Sequence, residues 1–235
     1  MKKFLMGCAA LAALALPGIA NAADLAVQAP VAVAPAVSWT GCYIGFHAGA
    51  GWGTKWWSDR AVLDNVSYST SGWVGGGQLG CDYQAGPVVL GVEGDLSWTN
   101  IEGNGAPANF ANSQFNSKID WIASAGARAG FVADKSLIYV KLAAAWADES
   151  HTLYPSPAFG VQSQTLSDTR FGILLGAGIE YMIAPILSAK LEYNYIDFGT
   201  TGYLFNQIPG QVEVNNEQQA HVLKLGVNYR FGGIR

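Results

Sequence analysis

The sequence carries little charge. Only 13% of its residues are Asp, Glu, Lys or Arg, and the formal net charge is −4. That leaves no basic surface for nucleic acid. Cysteine is scarce too, with Cys8, Cys42 and Cys81 alone, and the three histidines (His47, His151, His221) lie far apart. No metal-ligand spacing joins them, and no nucleophile–base motif stands out. No catalytic residue, metal site or cofactor is therefore expected. Long apolar runs are almost absent. The single run, Phe4 to Leu16, is too short to cross about 30 Å of hydrocarbon as a helix. A chain of this kind that spans a membrane must do so with strands.

The N-terminus points to export. Lys2 and Lys3 precede the apolar run, and Ala20-Asn21-Ala22 fits a small-x-small cleavage site. We expect a signal peptide over 1–22, cut after Ala22. A lipid-modified Cys8 fits poorly, because almost no apolar stretch precedes it. Residues 23–38 are rich in Ala, Val and Pro and read as an extended periplasmic leader. The remaining domain is 39–235. Export removes Cys8 and leaves Cys42 and Cys81 in an oxidising compartment, which suggests a disulfide.

What is abundant is glycine (29) and tryptophan (8), and apolar residues that recur at every second position. The last segment is clearest. His221, Leu223, Leu225, Val227, Tyr229 and Phe231 alternate with Val222, Lys224, Gly226, Asn228 and Arg230. Eight such segments fall near 41–52, 72–83, 88–98, 119–132, 137–147, 170–182, 187–198 and 220–231. Most are about the 9–11 residues a tilted strand needs to cross a bilayer. Tight links (Gln84–Pro87, Ala133–Ser136, Ile183–Ile186) alternate with long ones (53–71, 99–118, 148–169, 199–219). The fold class is thus all-β: an eight-stranded antiparallel transmembrane β-barrel, with short periplasmic turns and four long extracellular loops. Its place is the outer membrane of a Gram-negative bacterium. A lipocalin-like soluble barrel would need an apolar interior.

Aromatics sort by strand end. Trp52, Trp73, Trp98, Trp121 and Trp146 fall at long-loop ends, and Tyr83, Phe131, Tyr181, Tyr229 and Phe231 at short-turn ends. Two interfacial girdles follow. Parity turns Asp82, Glu93, Asp95, Asp120, Glu180 and Glu192 inward, with Arg128, Lys141, Arg170, Lys190, Lys224 and Arg230. Eight strands enclose little more than their own side chains, so twelve balanced charges imply a salt-bridged plug. An ion path is the functional alternative. Cys42 and Cys81 share the parity of Ile44 and Leu79, point outward, and lie near the periplasmic ends of adjacent strands. The outer stripe Ala123, Ala125, Ala127, Ala129 fits a lipid-facing strand or contact with a second copy. Expected partners are outer-membrane lipid and the barrel assembly machinery.

Four segments, Trp39–Gly45 (WTGCYIG), Gly91–Asp95 (GVEGD), Leu191–Gly199 (LEYNYIDFG) and Leu223–Phe231 (LKLGVNYRF), resemble the small porin-like outer-membrane immunogenic proteins of alphaproteobacteria. The resemblance covers nearly the whole mature chain. It implies an OmpA-like eight-stranded barrel and a role as an abundant envelope protein and surface antigen. It brings no catalytic motif. Some members are credited with haem binding, for which the loop residues His151, Tyr154 and Phe159 are the candidates. The chain departs from the pattern in two places: Gly232–Arg235 follow the terminal Phe231, and Cys42 stands where many members have an aromatic. Three functions follow as expectations: a structural envelope barrel with antigenic loops, a narrow porin for small solutes, and a loop-borne ligand binder.

Overall fold

The structure, a computed structural model, describes residues 38–59, 65–105, 114–154, 164–205 and 212–232. The signal segment 1–22, its cut after Ala22 and the leader up to residue 37 lie outside the described residues, as does Phe159. Eight strands follow in chain order: β1 (Gly41–Asp59), β2 (Asn65–Ala85), β3 (Val88–Gly105), β4 (Gln114–Ala133), β5 (Ser136–Tyr154), β6 (Gln164–Ala184), β7 (Leu187–Phe205) and β8 (Val212–Phe231). Each pairs antiparallel with its sequence neighbours, and β1 pairs with β8 to close the barrel. Closure leaves no strand edge exposed to lipid.

The turns on one side are two residues long. Gly86 (φ 59°) and Asp134 (φ 55°) open two of them in the left-handed region, as primed hairpin turns require. The third turn starts at Pro185. A register shift between Met182 and Ala184 adjusts the ladder beside it.

The strands run 18–21 residues, longer than the sequence pattern suggested. The excess lies almost entirely at the long-loop end: β2 begins at Asn65 and β8 at Val212. Past the headgroups both faces of the wall meet water, so the apolar–polar contrast fades while the backbone ladder continues. Hydroxyls then face one another across β5 and β6, Thr152 with Thr165 at 3.1 Å and Ser150 with Ser167 at 3.4 Å.

Between the girdles the outer wall is apolar and exposed, with Phe46 at 77% and Leu225 at 66%. That surface suits a lipid solvent. Of the expected girdle rings all but Trp121 are large exposed groups, and Trp121 is half-buried. Trp98 and Trp121 are cross-strand partners, and Trp146 meets Phe171 edge-on at 5.8 Å.

Candidate functional site

Within the bilayer span alternate side chains of each strand enter the lumen, so the interior is where eight strands bring chemistry together. It is stratified. At the periplasmic mouth Trp39, Val89, Leu137, Tyr139 and Met182 form an apolar floor. Trp39 is pinned there: its backbone N–H donates to Gln84 Oε1 at 2.8 Å, its carbonyl accepts from Arg230 Nη2 at 2.7 Å, and the Arg230 guanidinium covers its ring at 4.8 Å.

Above the floor lie ten buried charges. Arg128 is a fork gripping Asp82, with Nε to Oδ1 at 2.8 Å and Nη2 to Oδ2 at 2.5 Å. Its Nη1 donates to Glu180 at 3.0 Å. Arg230 repeats the pairing, 2.6 Å to Asp82 and 3.2 Å to Glu180. Lys141 bridges Glu93 and Asp95, both at 2.8 Å. Lys190 binds Glu93 at 3.1 Å and Glu192 at 3.4 Å, and Lys224 binds Asp95 at 2.6 Å. Five acids thus meet five bases. Neutral donors fill the remaining lone pairs: Tyr43 on Glu93 and Tyr139 on Glu192, both at 2.6 Å, Asn228 on Glu180 at 2.8 Å, and Ser124 on Asp95. Both tyrosine rings also lie within 5.0 Å of the Arg128 guanidinium. Buried charge is tolerable only when paired and hydrogen-bonded in this way.

Next comes a polar step. His47 Nδ1 meets Gln78 Oε1 at 2.6 Å, and its Nε2 meets Ser97 Oγ at 2.8 Å. A serine on an oriented imidazole has the outline of a nucleophile–base pair. Here Ser97, His47 and Gln78 are only 1%, 5% and 3% exposed, and a second layer covers them. That layer is an apolar collar that includes Val74, Ile101, Ile119, Ile122, Leu174 and Ile196. Beyond it, Arg170 approaches Glu149 at 3.9 Å and donates to Gln218 at 3.0 Å.

Eleven of the twelve residues expected in the lumen are buried there. Asp120 is not. It is half-exposed on the outer wall, 3.0 Å from Lys118, and accepts from Ser150. The cause is a register shift between Ile119 and Trp121 on β4. Two consecutive residues, 120 and 121, then face outward, and the inward set continues with Ile119 and Ser117. Glu149 occupies the lumen instead. Its parity with Lys141 placed it inward, but it lay in a segment read as loop. The floor tryptophan and the apolar collar were also missed. Val74, Ile122, Leu174, Ile196 and Val222 sit at inward parity, and only their shared height makes them a layer.

Cys42 and Cys81 are direct partners across β1 and β2 and are joined by a disulfide. They lie on the outer wall near the short turns, where Phe231 is Cys42's other partner. His221 is in the outer girdle, its Nδ1 2.6 Å from the Tyr193 hydroxyl and its ring stacked on Trp52. His151 and Tyr154 belong to β5, with side chains outside the described set. No group of metal-ligating side chains occurs among the described residues.

Comparison with known proteins agrees with this architecture. Residues 6–231 match the model of the outer membrane protein beta-barrel domain. The 31 kDa outer-membrane immunogenic protein of Brucella melitensis is 30% identical over 242 residues, covering 90% of this chain and 93% of its own. The 22 kDa outer membrane protein of Rhizobium leguminosarum is 27% identical over 206 residues, covering 88% and 83%. Among solved structures, the outer membrane protease OmpT of Escherichia coli aligns with a TM-score of 0.51 over 81% of this chain and 97% of that one. Its 8% identity makes this a likeness of fold alone.

Proposed function

The chain belongs to the outer membrane protein beta-barrel family, and from that premise we propose that it is a non-conducting envelope barrel whose outer loops serve as a surface antigen. The observation that carries this reading is the filled lumen: a neutral ten-charge network held between an apolar floor and an apolar collar. A conducting path needs continuous water or fixed charge of one sign. The collar offers neither, and unpairing the charges beneath it is costly. The immunogenic names of the Brucella relatives supply the antigen role. The links that join β1 to β2, β3 to β4, β5 to β6 and β7 to β8 would carry it. The reading is non-enzymatic: the family resemblance brings no catalytic motif, and the serine–imidazole pair among the described residues is buried, with Ser97 at 1% and His47 at 5% exposure.

Swelling of vesicles containing the purified protein in small sugars tests the closed lumen. The expected rate equals that of protein-free vesicles, and swelling that falls with sugar size would establish the porin alternative instead. Protease or antibody added to intact cells should reach the four outer links while sparing the barrel wall.

A further inference from the structure

We infer that the Cys42–Cys81 disulfide is a register clamp for the first strand pair, made in the aqueous periplasm before the barrel inserts. The argument starts from glycine. Between Gly41 and Gly53 five of thirteen residues are glycine, and between Gly72 and Gly80 five of nine. Space demands them. A Cβ on Gly49 would run into the Leu223 carbonyl, one on Gly76 into that of Leu96, and one on Gly80 into the Tyr43 hydroxyl. Glycine on this scale has a consequence for pairing. Strand register is set by side chains that match across the ladder, and it is weakly specified where side chains are missing. A slip of two residues between β1 and β2 keeps every facing and displaces few large groups. The bond at Cys42↔Cys81 forbids that slip and fixes Tyr43↔Gly80 and His47↔Gly76 beside it.

The timing follows from where the sulfurs lie. Cys81 is exposed on the outer wall, two residues from exposed Leu79 and Tyr83. Forming the bond takes two exchanges. One cysteine thiolate attacks a disulfide of the oxidant to give a mixed disulfide. The second thiolate displaces the oxidant as a dithiol, and two protons and two electrons leave the cysteine pair. The co-reactant is a disulfide-bearing periplasmic protein. It needs hydrated thiolates and an in-line approach, and once the barrel is inserted the lipid headgroups and the girdle rings Tyr83 and Phe231 beside the bond obstruct both. β1 and β2 are sequence neighbours and their two cysteines are 39 positions apart, so their cross-link can form in a chain that has not yet closed β1 on β8.

Two measurements on the full mature chain test this. In the first, oxidised wild type, reduced wild type and the Cys42→Ser/Cys81→Ser double variant fold from urea into phospholipid vesicles, followed by the gel shift between boiled and unboiled samples. The oxidised chain should reach the heat-modifiable form several-fold faster or in several-fold higher yield than the other two. Failure of both thiol-free and reduced chains to fold would agree. Equal rates and yields for all three would overturn the clamp. In the second, a hydrophilic phosphine reductant is added to oxidised protein in urea and to oxidised protein already inserted. Reduction should be at least several-fold slower after insertion, because exchange depends on access to the sulfur. Equal rates would overturn the timing, since a bond open to water after insertion could equally be made then.

Discussion

The lower and upper halves of the lumen solve the same packing problem with opposite materials. The lower half, above its apolar floor, is filled from Asp82 to Lys224 with ten charges and the polar groups that bond them. The upper half holds the collar from Val74 to Val222, filled with aliphatic residues, alanines and Phe198, with Arg170, Glu149 and Gln218 beyond it. The difference teaches how a narrow barrel stays shut. A charged layer alone could exchange partners and admit water, and an apolar layer alone could not fix the register of eight polar-lined strands. Stacked, the collar keeps the network dry, and the network's geometric demands hold the walls that pack the collar.

The comparison can be broken hardest from the lower side. Arg128→Leu removes the fork shared by Asp82, Glu180 and Glu93, leaving five acids to four bases in a dry site, with Arg230 alone on Asp82 and Glu180. Losing one partner of a buried pair costs about 3–5 kcal/mol, so the urea midpoint in vesicles should drop sharply. A change below about 1 kcal/mol would mean the layer is hydrated. A control from outside the lumen comes next. Leu225→Arg puts a charge on the lipid face at a cost of about 2–4 kcal/mol and should cut insertion yield more than Lys224→Leu, whose partner Asp95 keeps Lys141. The reverse order would mean that strand β8 is turned the other way round.

The upper half should give way more gently. Leu174→Ala leaves a cavity among side chains already small, such as Ala143 and Ala145, and should cost about 2–3 kcal/mol, near the low end for such truncations. No loss at all would show the collar to be loosely packed. The smallest effect belongs to Asp120→Asn. Its half-exposed pair with Lys118 is worth about 0.5 kcal/mol or less. A large loss there would put Asp120 back in the lumen and contradict the bulge on β4.

Much of this was legible in the sequence, and the limits have physical causes. Period-2 alternation gave the strands, the girdles and eleven lumen charges, because inside the bilayer each wall residue has one wet or packed side and one greasy side. Alternation failed where that contrast ends. Beyond the outer girdle Asp148 to Thr152 read as loop while their backbones stay in the ladder. Parity counting also failed across one inserted residue, since a bulge leaves no mark in composition. The collar was hidden for a third reason. Its members come from different strands, and a layer exists only once register sets their heights.

The closed lumen is tested most directly by single-channel recording of the purified, refolded barrel in a planar lipid bilayer. A neutral network sealed beneath an apolar collar predicts a silent trace at moderate voltage, with no stable conductance steps. Reproducible ohmic openings in correctly folded, heat-modifiable protein would contradict it.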